Sequence, residues 1–191
     1  MSEIKPILAD PISQAVEALR TRLKLRFDKR WTMPIVPVPL SLAEFKRVAS
    51  MTPFVAVGFS EFDTVSARVL NGEARLSVVI GVKNVSNQDN RFLGNAAGPG
   101  LFPSLTIAAA LINGYTAKDL CSFNVTKISS AHADGFADDA IATGIINVTT
   151  TLSFRDAIKD ADEPPEFAGF SQWEGSVWDG VRSNINPAEA A

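Results

Sequence analysis

Glycines 94, 98 and 100 in "GNAAGPGLFPSLTIAAALINGY" precede an apolar run, the order in which a phosphate-binding loop meets its helix. A P-loop needs G-x-x-x-x-G-K-[ST], whose lysine reaches the phosphates and whose hydroxyl holds magnesium. No lysine or arginine stands anywhere from Gly94 through Ala117, and Pro99 and Pro103 remove backbone N–H donors that would face an anion. Dinucleotide binding fails too, because the stretch follows a long polar segment and not a strand ending in a tight turn. These glycines are expected to serve a loop that ends in a helix start, with no cofactor.

His132 is the one histidine and Cys121 the one cysteine, so no histidine–cysteine metal set can assemble. "ADGFADD" beside His132 offers Asp134, Asp138 and Asp139 to a hard cation. Calcium loops alternate their ligands and end in a bidentate glutamate. This segment does neither and reads as a solvated hairpin tip, so no metal site is assigned. A metal-dependent enzyme built on these aspartates is the competing reading, to be tested by a metal-dependent rise in melting temperature. There is no G-x-S-x-G elbow and no nucleophile beside a base. No catalytic residue is assigned, and the chain is read as not an enzyme.

The elements that would position any site follow from periodicity. Asp10 as N-cap and Pro11 at the first helical position start a helix over "DPISQAVEALRTRLKLRF". Ile12, Val16, Leu19, Leu23 and Phe27 share one face, which predicts about five turns, with Arg20, Arg22, Lys24 and Arg26 on the other faces. "WTMPIVPVPL", with three prolines in six residues, predicts an extended connector. A short helix over 42–50 follows from the capping-box spacing of Ser41 and Glu44 and the staple spacing of Leu40 and Phe45. From Pro53 the period is two. "PFVAVGFSEF" and "ARLSVVIGVKN" read as strands, the second with Leu76, Val78, Ile80 and Val82 inward and Arg75, Ser77 and Lys83 on a wet face.

A polar connection over 84–99 comes next, with Arg91, Phe92 and Leu93 as its most adhesive group. A core helix over Leu101–Asn113 then stops at Gly114. "SFNVTKISSA" and "AIATGIINVTTTLSFRD" supply two more strands. The order predicts an α+β domain over 1–156, a small mainly antiparallel sheet flanked by helices. Residues 157–191 form an acidic extension that still holds Phe167, Phe170, Trp173 and Trp178. A segment meant only to stay in solvent should be poor in aromatics.

The 191 residues are 46% hydrophobic and 20% charged, with a net charge of −3, which gives no global attraction to nucleic acid. Charge is unevenly placed: nine Lys/Arg face five Asp/Glu in residues 1–50, and two face seven in 157–191. The basic front is expected to meet an acidic protein surface, such as another copy's tail. No apolar run approaches the roughly 18–20 residues that span a bilayer, so no membrane partner is expected. "MSEIKPILAD" lacks the basic start and apolar stretch of a signal peptide. The lone cysteine leaves no internal disulfide.

The order of an amphipathic helix, "PFVAVGF", "LSVVIGVKN", a polar loop, "LFPSLTIAAALING" and two strands ending in "INVTTTLSF" resembles the tail terminator proteins of long-tailed bacteriophages, most closely those of Mu-like phages. The likeness covers residues 10 to 156 and lies in the order of elements. It implies a structural virion protein, made in the host bacterial cytoplasm, that forms a homohexameric ring. Such a ring caps the head-proximal end of the tail tube and stops tube polymerisation. It meets the tail tube protein below and the head–tail connector above, while genome DNA passes through the lumen without sequence-specific contacts. On that reading Arg22, Arg26, Arg91, Phe92, Leu93, Phe170, Trp173 and Trp178 are expected at the interfaces. Two alternatives stay open: a neck or head-completion protein of the same particle, and a monomeric protein-binding module.

Overall fold

The computed structural model describes residues 10–66, 70–83, 88–96, 98–131 and 141–154. In chain order these form α1 (Pro11–Leu23), α2 (Leu42–Ala49), β1 (Phe54–Ser66), β2 (Asn71–Lys83), α3 (Gln88–Leu93), α4 (Leu101–Ile112), β3 (Thr116–Ala117), β4 (Cys121–Ala131) and β5 (Ile141–Ser153). The five strands make one antiparallel sheet in the order β1-β2-β5-β4-β3, so the chain is an α+β protein.

The two-residue period of the strands divides the sheet between two layers. Val55 and Val57 of β1, Leu76, Val78, Ile80 and Val82 of β2, and Ala142, Ile146 and Val148 of β5 join one core with Val16, Leu19 and Leu23 of α1 and Leu101, Leu105, Ala108 and Ile112 of α4. On the opposite face Phe54, Ala56 and Val79 are sealed by Val36 of the connector and Val48 of α2. The wet face expected of β2 is therefore half right. Arg75 and Lys83 are exposed, whereas Ser77 and Val79 on the same side are buried, Val79 under α2.

Asp10 caps α1 through Oδ1, which accepts from the N–H of Ile12 at 3.0 Å and of Ser13 at 3.1 Å. The helix is shorter than its apolar spacing predicts, 13 residues and not five turns. After Leu23 the N–H of Leu25 turns back to the carbonyl of Arg22, and those of Arg26 and Phe27 to that of Leu23. Phe27 still reaches the core, and its ring meets Trp31 edge-on at 4.9 Å. α2 begins as predicted, with Ser41 Oγ accepting from the N–H of Glu44 at 3.2 Å. The Glu44 carboxylate instead pairs with Arg47.

The proline-rich connector is extended and runs parallel to β1. Thr32 and Val36 exchange backbone hydrogen bonds with Pro53, Val55 and Val57. Prolines are tolerated there because an edge leaves alternate N–H groups free. The predicted loop over 84–99 holds α3 within it, a helix of six residues. The expected tip over 132–139 and the C-terminal extension lie outside the described residues, which all fall within one unit, Leu8–Ala157. No helix among them is long and apolar enough to cross a membrane.

Candidate interaction surface

The glycine-rich stretch has a mechanical task. Gly94 takes φ +81°, and a side chain on it would come within 2.6 Å of the Gly100 nitrogen; one on Gly100 would come within 2.3 Å of the Gly94 nitrogen. Two backbones thus touch where α3 ends and α4 begins, and only glycine permits that approach. Asn95 and Gly98 close the turn with reciprocal hydrogen bonds of 3.0 and 3.2 Å. The result holds α3 against α4, with Phe92 and Phe102 centroids 5.3 Å apart.

The expected interface residues separate into distinct environments. Arg22 is tied inward: its Nε donates to the Leu111 carbonyl at 3.0 Å, and its guanidinium lies 4.9 Å from the Tyr115 ring centre. Arg20 likewise serves the fold, donating to the Met33 carbonyl at 3.1 Å and pairing with Glu17. The basic outer side is therefore narrower than the helix pattern suggests and centres on exposed Lys24 and Arg26, beyond the last turn of α1. Phe92 is half-buried against the core, whereas Leu93 is 66% exposed. α3 thus brings Phe92 beside Phe102, and exposed Leu93 stands with Arg91 on the same short helix. Phe170, Trp173 and Trp178 lie outside the described residues.

Two exposed surfaces were not picked out by sequence reasoning. The first is the half of the sheet that α2 leaves open, a shallow hollow of about 440 Å³ lined by Ser60, Glu61, Glu73, Arg75, Asn147 and Thr149, among others. Arg75 dominates it, with Nη1 2.5 Å from Glu61, Nη2 3.1 Å from Asp63 and Nε 3.4 Å from Glu73. Hydrogen bonds to Glu61 and Glu73, with the charges of Glu61 and Asp63, raise the guanidinium pKa above its ordinary value. The register of β1 against β2 places Glu61 opposite Arg75 and Asp63 opposite Glu73. A bulge between Phe59 and Glu61 keeps the carboxylates on this side while Phe62 turns to the core. The signal was the Glu-x-Asp and Glu-x-Arg alternation, but pairing it needed the register. Hydroxyls, one amide and an occupied arginine can hydrogen-bond a polar protein surface. Among the described residues no cluster of His, Cys, Asp and Glu is arranged to hold a metal ion.

The second surface is the outer side of α4. Phe102, Pro103, Thr106, Ile107 and Ala110 are exposed there, with Phe102 at 48% and Ile107 at 44%. Cys121, near this helix's exit, is half-buried, and burial pushes its thiol pKa up, which makes it a poor nucleophile. No family model matches this chain, and no curated protein matches it in sequence.

Proposed function

We propose that this chain is a subunit of a bacteriophage tail terminator ring. The observation that carries the reading is the order of its elements over residues 10 to 156, the likeness to Mu-like phage terminators described above. The α+β fold supports it, since such a protein needs a small antiparallel sheet with helices on its faces. The ring is a hexamer that caps the head-proximal end of the tail tube, halts tube growth and presents a surface to the head connector. Its role is assembly, with no reaction to catalyse.

A closed ring requires a head-to-tail interface, two different surfaces of one subunit that fit each other. Cations at Lys24 and Arg26, the carboxylates around Arg75 and the acidic C-terminal extension are unlike surfaces of that kind. The mass of the purified protein in solution, with negative-stain images of the same sample, tests the reading. Rings of six chains with a central hole are expected, either from the protein alone or when purified tube protein is added. A monomer that stays a monomer in the presence of tube protein overturns it.

A further inference from the structure

α4 is apolar around nearly its whole circumference, yet among the described residues only one side of it is covered. Leu101, Ser104, Leu105, Ala108 and Ile112 are buried inward. Outward, Phe102 and Ile107 remain nearly half exposed, and α3 adds exposed Leu93 next to Phe92, whose ring lies 5.3 Å from that of Phe102. No charged residue of either sign interrupts the chain from Gly94 through Ala117. Even the Thr106 hydroxyl is spent within the helix, donating to the Phe102 carbonyl at 2.9 Å. A helix that is hydrophobic all round belongs in an interior. A contiguous exposed apolar patch marks a contact surface.

The chain itself supplies an occupant of matching chemistry. Described residues end at Phe154, whose ring packs edge-on against Phe62 at 4.9 Å. The following 37 residues carry Phe167, Phe170, Trp173 and Trp178 among eight acidic and three basic side chains. Nineteen extended residues from Phe154 to Trp173 reach roughly 60 Å, against about 18 Å for the length of α4. That is ample to pass to a neighbouring subunit. Charge agrees, because Arg22 fastens the end of α1 to Leu111 of α4, and exposed Lys24 and Arg26 follow directly. The geometry points to the outer face of α3 and α4 as the seat for residues 167–178 of a neighbouring copy. That the donor is another copy rests on the ring reading.

Disulfide trapping in the full chain tests this, in a Cys121→Ser background. Thr106→Cys is placed in one chain and Ser171→Cys in another, so that the apolar groups of both surfaces stay intact. Mixing the two is expected to give a disulfide between chains, and adding Ile107→Glu to the first chain should lower its yield about tenfold. Rings of six chains without that disulfide overturn the docking inference and leave the ring standing. The disulfide in particles of another size supports the docking and removes the hexamer. A chain carrying both cysteines that closes on itself at every dilution overturns the neighbouring-copy assignment. Monomers that form no disulfide at all overturn it as well.

Discussion

Arg22 and Arg26, one helical turn apart in sequence, are opposite cases. Arg22 satisfies a carbonyl at the end of α4 and lies over Tyr115, so its loss removes a charge-assisted hydrogen bond and a cation–π contact together. Arg22→Ala is expected to cost about 1–2 kcal/mol in urea denaturation, while Arg26→Ala stays within about 0.5 kcal/mol. Equal effects would show that the contact with α4 is not what holds Arg22. Glu44 and Asp28 each contribute to the acid response. The Arg47 guanidinium hydrogen-bonded to Glu44, and the Arg30 guanidinium hydrogen-bonded to Asp28, hold both carboxyls below their ordinary values. A depressed folded value means stabilisation that is present above the unfolded carboxylate range and lost as pH falls through the folded values. Melting temperatures of the wild type and of Asp28→Asn/Glu44→Gln should therefore differ at pH 7 and converge toward pH 2. A gap that persists at pH 2 would contradict this.

At the scale of elements, close approach sets the tolerances. Gly81 lies against the ring of Phe54, and an added Cβ would come within 2.1 Å of it. Phe54 is fully buried beneath the connector and α2, so its ring has no free side to which it can turn. Gly81→Ala is expected to cost about 1–3 kcal/mol through overpacking, read as a lower urea midpoint with an unchanged slope. Asp10→Ala removes the acceptor for the Ile12 and Ser13 N–H groups and should cost about 1 kcal/mol. α2, α4 and all four long strands were legible in the sequence because a cap or a regular period runs through most of each, even though bulges interrupt β1 and β4. The end of α1 was not, since Phe27 keeps the helical apolar spacing while the backbone has already turned. α3 was hidden because six polar and mixed residues carry no period; its place depends on the Gly94–Gly100 contact and on Phe102.

At the scale of the whole molecule, the proposed ring makes a prediction about assembly. Among the described residues, α1, α4 and the strands share one core drawn from residues 10–154. Deleting 160–191 should then leave the melting temperature of the subunit nearly unchanged while lowering the mass of the assembled particle. A truncated protein that still forms six-chain rings would remove the C-terminal aromatics from the interface. Raising salt should also loosen the ring, since exposed opposite charges are screened beyond roughly 8–10 Å at moderate ionic strength.

Because caps, prolines and periods of two or 3.6 are local properties, the sequence by itself determined where α2, α4 and the four long strands lie and most of their apolar faces, but not α3, β3 or the end of α1. It also showed that the glycine-rich stretch lacks the cations a phosphate needs. Tertiary structure alone decided which arginines are free. It spends Arg22 and Arg20 on backbone carbonyls, gathers three carboxylates around Arg75 through strand register, and leaves one side of an apolar helix in solvent. Those outcomes depend on contacts between residues far apart in the chain, such as Arg22 and Leu111, and no window of sequence contains both partners.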